Sequence, residues 1–456
     1  MTDKKELQQY RAKLFNDLYN EIIPDRVPVD FNLSGEVYIE AAGLPVGKTL
    51  WTLDGIEQAM EELCPNINAD ILPKDSGRLP LFTQLTGCRG SVMSATGFMQ
   101  HPEITTMEAE EYDEFIADPY AFIVDKILGR LYPEMTEDKS RALLVFMMGI
   151  SAKDKTMAKY GQIYQRISEK FGYYSVPAAH NSRSLAPLDF FSDYPRGFTG
   201  ITKDIKRCPE KVLAAAEAVI PMLVKYAKPA VPSPLGCAFM PGHMPTFMRT
   251  KEFEKYYYPS FSKLIHATAE NGQQFKIFCE DNWQRYVDYL YDLPQGTRLM
   301  CEYGDPKVFK DKLGKKMILT GFYPVTLLKT GTKEECVDKA KELLDILAPG
   351  GNYVFGFDKT ILTLNSLKLE NLYAVIDYVV ENGKYSNAGE RSTTQDRKDT
   401  VLPVLKDLPK FSSRLYDDMD LYRQEKKYII PDCEEVMYSQ VQAAQDAMLK
   451  TIVGLI

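Results

Sequence analysis

The sequence predicts an α/β fold, specifically a (β/α)8 barrel, and three observations carry that expectation. Between Phe275 and the 350s four short apolar runs recur, "FKIFC", "RLMCE", "KMILTGF" and "NYVFGF". Each is bounded by turn residues, as strands covered on both faces of a parallel sheet are. Helical stretches separate them, which implies parallel pairing through right-handed crossovers. An open doubly wound sheet satisfies both points, so the third observation decides. No GxGxxG follows the first strand, and "AAGLPVGKTL" lacks the spacing of a phosphate-binding loop. A closed barrel is then the better reading, with its active site at the C-terminal ends of the strands.

Taken in order, "RVPVDFNL" and "RLPLFTQL" read as strands, and 107–131, 136–172 and 207–227 as helices. The stretch 174–200, with "SVPAAHNSRSLAPLDFFSDYPRGFTGI" at its centre, reads as a long ordered loop rich in Pro, Ser and aromatics, placed over a substrate cavity. "LGCAFM" reads as the next strand. Between the last two apolar runs, Thr332 and Glu335 make a capping box. Cys336, Ala340, Leu343, Leu344 and Leu347 then share one helix face, and Gly350-Gly351 stop it. The last fifty or so residues, from "LPKFSSRLYDDMDLY" to a helix at 433–453, fall outside the alternation. The expected division is therefore a catalytic barrel over 1–405 with N-terminal helical additions, and a C-terminal helical extension over 406–456. That extension would cover the barrel or supply a homodimer contact.

Composition sets the remaining bounds. The chain has 456 residues, 45% hydrophobic and 26% charged, the mix of a globular protein with a large core. No apolar run reaches the roughly eighteen residues that a membrane helix needs. The opening "MTDKKELQQYRAKLF" lacks the apolar stretch of a secretory signal, so a cytoplasmic protein is expected. The eight cysteines show no CxxC spacing, which favours reduced thiols over a disulfide framework. A net charge of −8 and the lack of a Lys/Arg stripe argue against nucleic acid as a partner.

Twice the chain ends a strand with Cys-Glu, at Cys279-Glu280 and at Cys301-Glu302. By the period-two rule the thiols and the carboxylates point to opposite sides, so one pair or the other faces the cavity unless a bulge intervenes. Converging carboxylates would share a proton or bind a metal, since two unpaired charges in a dry cleft repel. His243, after "LGCAFM" and a Pro-Gly turn, lies at a neighbouring strand end. His243, Glu280 and Glu302 make a candidate zinc set with an open position for substrate, and Cys279 and Cys301 are the alternative ligands. A plainer reading fits the same residues: Glu280 and Glu302 cap helices, the two cysteines are small core hydrophobes, and His243 is a loop histidine. His101 reads as a turn residue and His266 as a packing residue. His180, in the aromatic loop, is a candidate substrate contact. No GxSxG elbow suggests serine hydrolase chemistry.

The run "GFYPVTLLKTGTKEECVDKAKELLDILAPGGNYVFGFD" resembles the C-terminal portion of the uroporphyrinogen decarboxylase superfamily. "DRVPVDFNL", "PEITTMEAEEYDEFIADPYAFI" and "FSDYPRGFTGITKDIKRCPEKVLAA" are similar to its members that transfer methyl groups to corrinoid proteins. The resemblance covers residues 25 to 375 and implies a barrel of that type. The tetrapyrrole decarboxylase's arginine-rich N-terminal motif is missing here, where the matching region offers only Arg26. The thiol-methylating branch holds zinc with His-x-Cys and a late Cys, and those positions match Phe278, Glu280 and the neighbourhood of Phe357. With the soft ligands gone, the resemblance implies the branch that demethylates methoxylated or otherwise methylated small molecules. It implies zinc as Lewis acid on the departing oxygen, cobalamin carried by a partner corrinoid protein, and His243, Glu280 and Glu302 as the catalytic set. His180, Phe191, Tyr194, Phe278, Tyr323 and Phe357 would line an aryl pocket. The alternative is a metal-independent decarboxylase or lyase of a small carboxylate, with Glu280 or Asp70 as its acid.

Overall fold

The computed structural model describes residues 3–136, 138–392, 408–425 and 431–456. The expected domain boundary at 405/406 lies outside the described residues. Two short strands, β1 (Val92–Met93) and β2 (Met99–Gln100), form an antiparallel hairpin. Five others form one parallel sheet in sequential order: β3 (Ser182–Arg183), β4 (Ala238–Gly242), β5 (Phe275–Asn282), β6 (Arg298–Tyr303) and β7 (Ile318–Gly321). The runs "FKIFC", "RLMCE" and "KMILTGF" are thus β5, β6 and β7, and "LGCAFM" leads into β4.

Parallel pairing continues past β7 as single bridges. Leu319 and Tyr323 pair with Tyr353 and Phe357, while Phe355 and Ile361 pair with Val29 and Leu33 in "RVPVDFNL". The Asp70 N–H donates to Val29 O at 3.0 Å, and Ile71 bridges to Tyr174, just upstream of β3 in the chain. Gly321 ends β7 at φ +92, and a Cβ there would lie 2.2 Å from Cys301 O, so only glycine fits this close approach.

Three sequence expectations change. "RLPLFTQL" forms the helix Pro80–Thr86 instead of a strand, because Pro80 sits in its first turn and Gly87 ends it in the left-handed conformation. The expected helix 107–131 is broken at Pro119 into shorter turns with a π-helical stretch at Ile123–Ile127. The stretch 174–200 is no loop. It holds β3, the helix Pro187–Asp193 and the start of the helix Gly197–Arg207, with Pro187 at the first turn of its helix. The C-terminal helix falls at its expected place, Glu434–Val453, where it packs on Pro209–Ala227 and buries Leu449, Ile452 and Val453 in the main core. Asp446 fastens it, taking hydrogen bonds from Lys225 at 2.9 Å and Tyr416 at 2.6 Å. The helices Lys139–Phe171, Pro209–Ala227 and Lys333–Leu347 match their expected spans closely. The last keeps its Thr332/Glu335 capping box and buries all five expected residues.

The N-terminal helix α1 (Lys4–Tyr19) feeds a second, smaller core in which Phe15, Leu18 and Tyr19 meet Tyr174, Ile318 and Val354. Beside it lies a buried ion cluster. Arg26 grips Asp70 with two hydrogen bonds of 2.8 and 2.6 Å, Arg11 lies 3.5 Å away, and the Val29 N–H donates to the same carboxylate. Asp70 is fully enclosed, so it is a structural anion tying three segments together and not the free acid that the alternative reading needs. Among the described residues no helix is long and apolar enough to cross a membrane.

Asp70→Asn leaves Arg26 buried without its charge partner. It should lower stability by about 3 kcal/mol, read as a lower urea midpoint at unchanged slope.

Candidate functional site

Three elements bring titratable groups to the C-terminal ends of β4 and β5. β4 finishes at Gly242 and hands on His243. β5 carries Glu280 near its end. The helix Pro187–Asp193 contributes Asp189 and Asp193, four apart and so on one face. His243 Nδ1 hydrogen-bonds Glu280 Oε2, and its Nε2 lies 3.7 Å from Asp193 Oδ2. Asp189, fully buried, accepts the backbone N–H groups of His243 at 3.3 Å and Met244 at 2.8 Å through one oxygen. Its other oxygen accepts the Tyr257 hydroxyl at 2.6 Å.

Burial alone would push the His243 imidazole down. The hydrogen bond to Glu280 and the charges of Asp193 and Asp189 outweigh it, and the group is raised from 6.5 to about 9. Burial, with Asp193 as a like-charged neighbour, raises Asp189 from 3.8 to about 7, against the opposing pull of His243 and the Tyr257 hydrogen bond. Asp193 is raised too, by burial first and by Glu280. Near neutral pH the cluster therefore holds an imidazolium beside an Asp189 carboxyl that retains part of its protons. It is a proton store at a strand end, with the His243 and Glu280 side chains about a third and two-fifths exposed (35% and 41%).

The backbone after β4 is held firmly. Tyr286 donates to Pro245 O and Met248 O at 2.9 and 2.8 Å, and Arg285 caps Pro245 O and Thr246 O. Trp283, fully buried among Phe253, Tyr257 and Phe261, donates its indole N–H to Glu280 O at 3.1 Å.

The Cys-Glu repeat resolves by register. Cys279 pairs with Cys301, and both thiols are buried on one face of the sheet. Burial holds the Cys301 thiol well above its ordinary range. Lys276, Phe278 and Glu280 alternate with them on the other face. A bulge between Cys279 and Asn282 then separates the two glutamates. Asp281 takes φ +58 there, its N–H donates to Glu302 Oε2 at 2.8 Å, and its carboxylate accepts the Thr246 hydroxyl. Glu302 Oε1 is held by the Lys359 ammonium.

Glu302 is thus held between the Asp281 N–H and the Lys359 ammonium. Among the described residues no group of three or more His, Cys, Asp or Glu is arranged to hold a metal ion. His243 Nδ1 is committed to Glu280 and Glu302 to Lys359, so these side chains do not fit the expected zinc set as they stand.

Of the expected pocket residues, Phe278 and Tyr194 stay near the site, Tyr194 beside Asp193 and Arg183 with burial raising its hydroxyl to about 12. The others do not. His180 lies before β3, at the opposite end of the sheet, bonded to Val231 O at 2.8 Å. Phe191 is buried in a helix-layer cluster with Phe115 and Tyr112. Tyr323 donates its hydroxyl to Cys336 O at 2.9 Å and, with Phe357, packs into the core between sheet and helices. Asp189 and Asp193 were missed because "LDFFSD" read as loop. Two acids at i and i+4 on a Pro-initiated apolar turn were the signal available. No protein-family model matches the sequence, and no curated protein matches it.

Glu280→Gln removes the main support of the imidazolium. The His243 pKa should fall by about one unit or more, followed by proton NMR titration with His243→Asn as the assignment control. The chain has only four histidines, which keeps that spectrum readable.

Proposed function

We propose that the chain is an enzyme whose parallel strands close into a (β/α)8 barrel, and that it moves a methyl group from a small methylated, above all methoxylated, substrate to a partner's corrinoid. The observation that carries this reading is the protonated His243, held by Glu280, Asp193 and Asp189 at the strand ends where barrels do their chemistry. The parallel bridges running from β7 through Tyr353, Val29 and Asp70 to Tyr174 support the closure.

The reaction needs one thing from this chain above all. As the methyl carbon–oxygen bond breaks, the oxygen keeps the electron pair and must lose its charge. His243 gives it a proton, and Glu280 and Asp193 stabilise the donor until transfer. The corrinoid, when its carrier docks, supplies the nucleophile that takes the methyl group. Phe247 and Phe198, which meet edge to face at 4.7 Å and are both exposed, would form a rim for that docking with the exposed Tyr303 at the end of β6. No step here passes through zinc, because proton donation meets the same charge.

The runner-up reading, a metal-independent decarboxylase or lyase of a small carboxylate, shares the proton donor. Its substrate's carboxylate would exchange for Glu302 on Lys359, the cation just past the 353–357 segment. The acid would be His243, since Glu280 is its hydrogen-bonded partner and Asp70 is sealed in its ion cluster.

Two measurements test the reading. Methylated donors screened with reduced corrinoid carrier should yield demethylated product, and His243→Asn should lower turnover by about 10²–10⁴-fold. Release of CO2 from a carboxylate without any corrinoid would favour the runner-up. About one zinc per chain, lost in His243→Asn, would return the role of acid to a metal. The pH profile gives an independent check. The folded His243 value lies above 6.5, so the ion pair's contribution to stability is complete below about 6.5 and lost as pH rises through about 9. Turnover that depends on the imidazolium should fall over the same upper limb.

A further inference from the structure

At the N-terminal ends of the strands, away from the His243 cluster, lies a cavity of about 190 Å³. Its lining includes three cations, Lys74, Lys276 and Arg298, against one carboxylate, Asp30. Lys276 reaches Asp30 at 3.2 Å, which accounts for a single positive charge. Arg298 is buried, and its guanidinium lies 3.5 Å from the Tyr19 ring centroid while one terminal nitrogen donates to Pro234 O and Gly236 O at 2.7 and 2.9 Å. Its Nε has no hydrogen-bond partner although it is enclosed. Lys74 stacks its ammonium over Tyr164 at 4.5 Å and is pushed down by burial, with only Asp75 opposing. Neutral donors, among them Ser175 and Asn181, complete the wall.

Cations enclosed in excess of their counter-charges cost free energy unless an anion or water answers them. An arginine with an orphaned Nε in a lined cavity is a donor waiting for an oxygen. We propose that this cavity is a binding site for a small oxyanion, a phosphate or a short carboxylate, separate from the candidate active site. The volume admits a phosphate or a group of a few heavy atoms. The anion would take its oxygens to Arg298 Nε and the Lys276 and Lys74 ammonium groups, with Asp30 opposing it. Because α1 delivers Tyr19 to this wall and Ile71 and Leu72 belong to another segment of it, an occupied cavity would also tie α1 to the sheet.

The test uses the full chain titrated with inorganic phosphate and with succinate, against sodium chloride at matched ionic strength, followed by thermal unfolding and calorimetry. Saturable stabilisation by phosphate or succinate beyond the chloride control is expected. Lys74→Gln, at a half-buried position, should weaken binding about tenfold, the loss of one charge-assisted contact. Asp30→Asn, which removes the opposing carboxylate, should tighten it. Opposite responses of the two variants separate a built site from general salt effects, which both variants would share. Absence of saturable stabilisation by either anion, or equal affinity in wild type and both variants, would overturn the proposal.

Discussion

A pleated strand sorts its side chains onto two faces, one residue apart, and this constraint governs everything the molecule does with β5 and β6. Phe275, Ile277 and Cys279 are buried on one face, while Lys276, Phe278 and Glu280 alternate on the other. The pairing Cys279↔Cys301 carries the same sorting to the neighbouring strand, so Arg298, Met300 and Glu302 share the polar-bearing face. A shift of one residue would bury Lys276 and Glu280 among helices and put two thiols at the strand ends. The register is therefore fixed by the cost of burying charge, which is several kcal/mol per ion, more than any preference of the thiols.

That face has two ends with opposite characters. At the N-terminal end the excess is cationic, with Arg298 against the aromatic ring of Tyr19 and Lys276 paired with Asp30. At the C-terminal end it is anionic, with Glu280, Asp193 and Asp189 around one imidazole. The carboxylates alone would repel. A proton on His243 answers them, and partial protonation of Asp189 removes what repulsion remains. Titration in this cluster belongs to the group as a whole, and a change at any member moves the others.

Much of this was legible in the sequence. The four apolar runs fell where the sheet and its last parallel segment lie, and the Thr332 capping box, whose chemistry is local, was read completely. His243 and Glu280 were correctly brought together by strand-end position alone. What failed was whatever depends on the third dimension. Glu302 was expected to converge with Glu280, and its actual partner, the ammonium of Lys359, lies far along the chain where no strand pattern announces it. Tyr323 and Phe357 looked like cavity aromatics, yet their bridge places both rings in the helix-packed core. Phe191 was misread for a different reason: its segment looked like loop, and the helix Pro187–Asp193 turned it inward while directing Asp189 and Asp193 to the site.

The bulge itself shows how one local departure divides a site. Asp281 adopts a left-handed conformation, which aspartate tolerates better than most residues because its short side chain finds nearby partners. Here the partner is the Thr246 hydroxyl, on the segment that follows His243. The freed Asp281 N–H turns to Glu302 and fixes that carboxylate against Lys359. The bulge spends one irregular residue to pair each glutamate with a cation of its own, the imidazolium for Glu280 and the ammonium for Glu302. Of the two, the imidazolium loses its proton first, as pH rises through about 9, while the hydrogen bond and charge of Glu302 outweigh burial and hold the Lys359 ammonium above its usual range.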